Sequence, residues 1–314
     1  MTANPFDGLA AMLRTPQVLA DRYELRSNLG RGGMGVVYLA QDRVLGREVA
    51  IKLVEPALLG DDTTRRLKDE ARLIGELAHP GIVPVHDLGQ LDDGMVYYVM
   101  EVVRGATLAE WIRHSHSLQE KLRLFERVCQ PVAFAHARGI AHRDLKPTNI
   151  MIGEFGQVLV MDWGLARRCA LAIAATDNEA RVGTPGYRAP TSHSEVVNLI
   201  ADDVYALGAV LHFTLTGRDP QQLADLHPRA VDPRVEVRLD AICALATHAA
   251  AKRRYATVLE LQADIAAYLD GAAVRAYPER WYHAALRWSR RNVWLLALLG
   301  AYLAMRIAVA VFSG

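Results

Sequence analysis

The sequence predicts an α+β protein in two lobes, a small β-rich lobe with one main helix and a larger, mainly α-helical lobe, followed by an apolar C-terminal helix. Three observations predict it. A chain of 314 residues is too long for one small module and suits one large two-lobed domain, or two domains. From Tyr23 to about Met100, short runs rich in valine, leucine and tyrosine alternate with glycine-bearing turns. After Gly105 the apolar residues turn mainly to helical spacing.

The elements follow in order. Residues 1–20, with Pro5, Gly8 and Pro16, read as a leader. Tyr23–Leu29, Val36–Ala40 and Glu48–Val54 read as successive antiparallel strands, with a turn near Val44-Leu45-Gly46. Over Thr63–Leu77, Leu67, Ala71, Ile74 and Leu77 fall on one side of a helix, Asp61 or Asp62 can cap its start, and Pro80-Gly81 lies past its end. Val96–Met100 is a further strand, and helices are expected over Leu118–Ala137, Asp202–Thr216, Arg238–Ala251 and Thr257–Leu269. The main domain is thus placed at residues 21–270, its lobes dividing near 101–104, and a basic and aromatic segment fills 271–292.

The end of the chain differs in kind. Val293–Phe312 carries one charge, Arg306, and a helix of that length spans about 30 Å, the thickness of a bilayer's hydrocarbon core. Arg287, Arg290 and Arg291 precede it, interleaved with Trp281, Tyr282, Trp288 and Trp294. A single-pass transmembrane helix is expected, with the main domain cytoplasmic and Arg306 snorkelling outward, against the alternative of a buried or in-plane helix. If the chain is complete, the few residues beyond it leave no room for an extracellular sensor, and any stimulus is then expected from the cytoplasmic side or through membrane partners.

Composition removes several classes. A hydrophobic fraction of 51% with 23% charged residues excludes wholesale disorder. Lysine and arginine total 36 against 35 acidic residues, so the basic excess of a dedicated nucleic-acid binder is missing. Cys129, Cys169 and Cys243 are scattered and fit neither a disulfide framework nor a zinc site, which suits a reducing compartment. Asp7 interrupts the best early apolar stretch, so no secretory signal peptide is expected.

Four segments carry chemistry. Gly30-Arg31-Gly32-Gly33-Met34-Gly35-Val36-Val37 reads G-x-G-x-x-G-x-V, whose glycines let backbone amides approach anionic oxygens. A dinucleotide-binding loop shares part of that pattern but leads into a helix, whereas Val36–Ala40 reads as a strand. Lys52, in Val49-Ala50-Ile51-Lys52, needs an acidic partner if it is buried, and the next helix offers Glu70 and, less well placed, Glu76. The segment His142-Arg143-Asp144-Leu145-Lys146-Pro147-Thr148-Asn149 concentrates ionisable and amide groups, and Asp162-Trp163-Gly164 follows the apolar run Val158–Met161. Asp162 and Asn149 offer hard oxygen ligands suited to magnesium, while Asp144 can accept or orient a hydroxyl proton. Two acids, an amide and nearby lysines suit phosphoryl transfer.

Taken in order, these segments, with Gly183-Thr184-Pro185-Gly186-Tyr187-Arg188-Ala189-Pro190 and Asp203-Val204-Tyr205-Ala206-Leu207-Gly208, resemble the bacterial, eukaryotic-like serine/threonine protein kinases over roughly residues 21–270. The resemblance implies a bilobal protein kinase fold, with ATP and Mg2+ as cofactors between the lobes. It further implies that Gly30, Gly32 and Gly35 cover the phosphates, that Lys52 holds the α/β-phosphates and pairs with Glu70, and that Val37, Ala50, Met100, Glu101 and Val103 surround the adenine. Asp144 would be the catalytic base, Lys146 would steady the γ-phosphate, and Asn149 and Asp162 would hold the metal. Thr184 would line the acceptor pocket, and Asp203 would brace the catalytic loop from within. The implied partners are proteins phosphorylated on serine or threonine; a homodimer is compatible, and nucleic acid is not expected.

The sequence departs from the family in two places. Trp163 stands where phenylalanine is usual. Thr191 follows Ala189-Pro190 where the family has a glutamate that pairs with an arginine matching Arg254, which leaves Arg254 to another partner or to water. Thr176 is the one serine or threonine between Trp163 and Gly183 and is the expected autophosphorylation acceptor, with Arg143 able to pair with its phosphate. A membrane-tethered pseudokinase scaffold and a small-molecule kinase are the rival readings. Lys52, Asp144, Asn149 and Asp162 together weigh against the first, and Lys146 with the 183–190 segment against the second.

Overall fold

The computed structural model describes residues 18–32, 35–54, 71–91, 95–163, 166–169, 184–190, 198–220, 227–278 and 292–312. The leader, Glu70, Thr176 and Thr191, and most of the expected Thr63–Leu77 helix and of the 271–292 segment, lie outside the described residues.

The N-terminal lobe is a six-stranded sheet. Strands β1 (Val18–Leu19), β2 (Tyr23–Gly32), β3 (Gly35–Asp42), β4 (Arg47–Val54), β5 (Val85–Gln90) and β6 (Val96–Met100) lie in the order β1-β2-β3-β4-β6-β5. Side chains alternate between the faces of a strand. In β4, Val49, Ile51 and Leu53 therefore join Tyr23, Tyr38, Tyr97 and Val99 in one buried cluster, while Ala50 and Lys52 turn to the opposite face. Asp42 fixes the end of β3: it accepts from Arg22 Nη2 at 2.8 Å and from the amide of Val44 at 3.0 Å, closing the turn into β4. The β5 strand was not expected. His86, Asp87, Gly89 and Gln90 give it no apolar alternation, which suits its place at a sheet edge.

The larger lobe, which opens with the short helix α1 (Leu108–Trp111), packs helices around one core. Helix α2 (Leu118–Ala137) starts at a capping box, Ser117 Oγ accepting from Glu120 N at 3.2 Å and the Glu120 carboxylate accepting from Ser117 N at 2.7 Å. Helix α3 (Leu199–Thr216) begins at Asn198, whose Oδ1 accepts from Ala201 N, and ends at Gly217 with φ of 70°. With α4 (Pro228–Val231), α5 (Val237–Ala246) and α6 (Val258–Leu269) these helices bury Phe125, Val128, Leu207, Val210, Leu239 and Ile265 together. Helix α5 stops before the expected Ala251. Arg254 takes the carbonyls of His248 and Ala249 at 2.8 and 3.1 Å, drawing them out of helical bonding.

The expected C-terminal transmembrane helix is corrected. Among the described residues, the one helix long and apolar enough to cross a membrane by length and composition is α3, and 83% of that stretch is buried inside the lobe, where it serves as a core helix. The C-terminal helix α7 covers Val293–Phe312 and is not the helix that meets that test among the described residues. The single-pass location with a cytoplasmic kinase domain falls with it. An apolar run read by composition alone does not tell a buried helix from a spanning one.

A small sheet joins the lobes' chemistry. Strands β7 (Gly105–Thr107), β9 (Ile150–Gly153) and β10 (Val158–Val160) pair in the order β10-β9-β7, so the β9–β10 hairpin brings Asn149, just before it, back beside Asp162, just after it. The amide of Met161 donates to Asn149 O at 2.8 Å.

Candidate active site

Asp203, near the start of α3, is 1% exposed and organises the loop that follows β8 (Ile140–Ala141). Its Oδ2 accepts from the amide of His142 at 2.7 Å and from His136 Nε2 at 2.8 Å, and its Oδ1 from the amide of Arg143 at 2.8 Å. Burial works to raise its pKa, and the bonds and charge from His136 and its other neighbours outweigh it, so the carboxyl lies below the usual range. The clasp holds Arg143 at φ of 70°, a left-handed conformation that costs a non-glycine residue of order 1–3 kcal/mol. Asp162, at φ of 56°, is a second such residue.

Beyond that turn, four side chains converge. Lys146 Nζ donates to Asp144 Oδ2 at 2.7 Å and to Thr184 Oγ1 at 3.0 Å, and Thr184 Oγ1 donates to Asp144 Oδ1 at 2.8 Å. Asn149 Nδ2 donates to Asp144 O at 2.8 Å and to Asp144 Oδ2 at 3.1 Å, which turns the amide oxygen away from Asp144. Residues 40 apart in sequence thus meet at one carboxylate.

Across the cleft, Lys52 Nζ reaches Asp162 Oδ1 at 3.0 Å. The lysine side chain is 9% exposed and the acid's 49%, so a buried cation meets a carboxylate open to the cleft. For Asp162, burial works to raise the pKa and the charge and hydrogen bond of Lys52 outweigh it, leaving it below the usual range. Glu70, the expected partner of Lys52, lies outside the described residues. Glu76, the weaker candidate, instead pairs with Arg168 in β11 (Arg167–Arg168) at 2.8 Å.

The glycine hairpin leads from strand to strand, with Gly32 opposite Gly35 and Gly35 at φ of 150°, which favours a residue without a Cβ. Val37 pairs with Lys52, and Ala50 with Met100, so these four residues sit in adjacent registers of β3, β4 and β6. Glu101 and Val103 belong to the irregular connection that follows β6, where the amide of Glu101 donates to Pro84 O at 3.2 Å.

Two buried rings lie beneath. Trp163 is 2% exposed, donates Nε1 to Val160 O at 3.1 Å, and shares a cluster with Ile74 and Leu77. His142 stands 4.6 Å from it, centroid to centroid. Its Nε2 bonds Met161 O at 3.0 Å and its Nδ1 accepts from the amide of Asp144 at 3.2 Å, which fixes a neutral ring protonated on Nε2. Burial depresses its pKa.

Arg254, 1% exposed in its side chain, has other partners than the expected glutamate position: Ala201 O at 2.8 Å, the carbonyls of His248 and Ala249, and Asp202 Oδ1 at 3.3 Å. Sequence reasoning missed Asp202 and His136. Nothing in their spacing marks them, because their partners lie 52 and 67 residues away.

Among the described residues no group of three or more histidines, cysteines or carboxylates could cage a metal ion. Magnesium does not need one, since it commonly takes one or two protein ligands with substrate phosphates and water. The Asp162 carboxylate and the Asn149 amide oxygen, brought together by the β9–β10 hairpin, fit that demand.

Comparison with known proteins agrees with this geometry. The protein kinase domain model matches residues 23–254. The chain is 37% identical over 273 residues to serine/threonine-protein kinase PknB of Mycobacterium leprae, covering 81% of this chain and 44% of that protein. It is 32% identical over 320 residues to serine/threonine-protein kinase PknD of Chlamydia trachomatis, covering 87% and 34%. The crystal structure of the Mycobacterium tuberculosis PknI kinase domain superposes with a TM-score of 0.63 at 25% identity, covering 80% of this chain and 98% of that one. The chain spans less than half the length of the curated relatives it matches.

Proposed function

The chain belongs to the protein kinase domain family, and on that premise we propose that it transfers the γ-phosphoryl group of ATP to serine or threonine hydroxyls of proteins. The observation that carries this reading is the convergence of Thr184 Oγ1 and Lys146 Nζ on the Asp144 carboxylate. Such a site holds a base, a cation and a hydroxyl together.

Asp144 accepts or orients the acceptor's proton as its oxygen forms a bond to the γ-phosphorus and the bond to the ADP oxygen breaks. Lys146 places its charge where the phosphoryl oxygens pass, and Lys52 holds the α/β-phosphates, exchanging part of its pairing with Asp162 for them. Asn149 and Asp162 would hold Mg2+, whose charge neutralises the phosphate oxygens. Gly30, Gly32 and Gly35 present backbone over the phosphates, and Val37, Ala50, Met100, Glu101 and Val103 enclose the adenine. Asp203 braces the loop, and Thr184 borders the acceptor.

Incubation with labelled ATP and magnesium, offering protein and small-molecule acceptors side by side, tests this. The native chain labels proteins on serine and threonine, and Asp162→Ala lowers that by roughly 10³-fold. Label on small acceptors alone, or none on either, would overturn the reading.

A further inference from the structure

The segment that carries Thr184 is held from an unexpected side. Tyr187, three residues on, is 7% exposed, and its amide closes a turn onto Thr184 O at 3.1 Å. Its hydroxyl donates to Asp219 Oδ1. Burial, then the bond to that carboxylate, pushes the phenol's pKa up, so it stays a donor. Beside it, Gly186 has φ of 85°, and a Cβ there would stand 2.0 Å from Pro220 O. Two successive residues of the segment therefore dock on two successive residues of the turn that ends α3.

That turn is anchored to the end of α3. Gly217 caps the helix with φ of 70° and a bond to Phe213 O at 2.7 Å, and the helix between is buried almost throughout. Near its start the same helix carries Asp203, which clasps the amides of His142 and Arg143. One buried helix thus sets the loop bearing Asp144 from near its start, and the segment bearing Thr184 from the turn that follows its end. The two meet at the Thr184–Asp144 hydrogen bond.

We propose that Asp219 is a positioning residue for the phosphoryl acceptor: by holding Tyr187 against the end of α3 it fixes Thr184, and with it the acceptor's place, against Asp144 and Lys146. This rests on the functional reading above. Asp219 touches neither nucleotide nor reacting atoms and acts through Tyr187.

The test compares Asp219→Ala, Asp219→Asn, Tyr187→Phe and the Ala/Phe double variant, using a serine-containing peptide and ATP. Asp219→Ala and Tyr187→Phe are each expected to lower kcat/KM for the peptide roughly tenfold, the loss of one hydrogen bond to a charged group. The double variant falls no further than either single one. Asp219→Asn, whose carboxamide oxygen still accepts, keeps most of the activity. The Kd for ATP and the urea midpoint stay close to wild type in all four. Peptide kinetics within twofold of wild type for Asp219→Ala overturn the proposal, as do additive losses. So does a parallel fall in urea midpoint and ATP affinity, which marks a merely structural role. A wild-type chain that phosphorylates no peptide or protein overturns the functional reading itself, and that control is read first.

Discussion

Lys52 and Asp162 form an ion pair across the cleft, Nζ to Oδ1 at 3.0 Å, tying the middle of the N-terminal sheet to the end of β10 in the larger lobe. The lysine is buried and the acid is half open, so the pair can admit a third, anionic group without leaving either charge stranded. Lys52→Ala is expected to lower phosphoryl transfer by about 10²-fold or more, with the fold retained by circular dichroism. Lys52→Arg does not restore it, because a planar guanidinium does not replace a compact ammonium between Asp162 and the phosphates. Transfer by Lys52→Ala within threefold of wild type would place the phosphates elsewhere.

A neutral buried histidine makes the catalytic loop acid-sensitive. His142 gives Nε2–H to Met161 O and receives the Asp144 amide on Nδ1, so a second ring proton must break the latter bond. Burial lowers its pKa from the ordinary value near 6.5, against the opposing pull of Asp203, Asp162 and Asp144. Below pH about 6.5 the unfolded chain therefore binds the proton that the folded chain refuses, and stability falls as pH drops toward the folded pKa. His79 and His86 are depressed by burial as well and add a shared background. Thermal melts between pH 5 and 7.5 are expected to show a shallower acid loss for His142→Gln than for wild type. Parallel curves would remove His142 from the account.

Much of this site is visible in the sequence because its chemistry is local. The loop from His142 to Asn149 and the hairpin to Asp162 keep their groups within a few residues of a strand end, and β6 and α2 begin and end where periodicity puts them. What was not legible is what long-range packing decides. His136, Asp202 and Asp219 look like ordinary polar residues until α3 brings their partners beside them. The membrane reading was placed on Val293–Phe312, whereas among the described residues the helix that meets the length and composition of a span is α3, inside the larger lobe. Apolar composition reports burial, and only tertiary structure tells whether protein or lipid provides it.

Arg254 shows how the fold absorbs a departure in sequence. Its guanidinium donates to the carbonyls of Ala201, His248 and Ala249 and meets Asp202 at 3.3 Å, so its charge is met by acceptors at the start of α3 and after α5. Burial raises the pKa of Asp202 while the charge of Arg254 opposes it, and Arg254 lies under the Tyr205 ring at 5.1 Å. Removing the guanidinium leaves several buried acceptors without their donor, and Arg254→Ala is expected to destabilise the fold by about 3–5 kcal/mol. Arg254→Lys recovers only part, since three donors on one nitrogen cannot reach acceptors spread around a planar fork. Asp202→Asn costs about 1 kcal/mol, because an amide oxygen still accepts and the three carbonyl bonds remain. Denaturant unfolding of the three variants checks the ranking. Should Asp202→Asn cost as much as Arg254→Ala, the ion pair rather than the carbonyl cage holds the arginine, and Asp202 takes the role that the family gives to the residue at position 191.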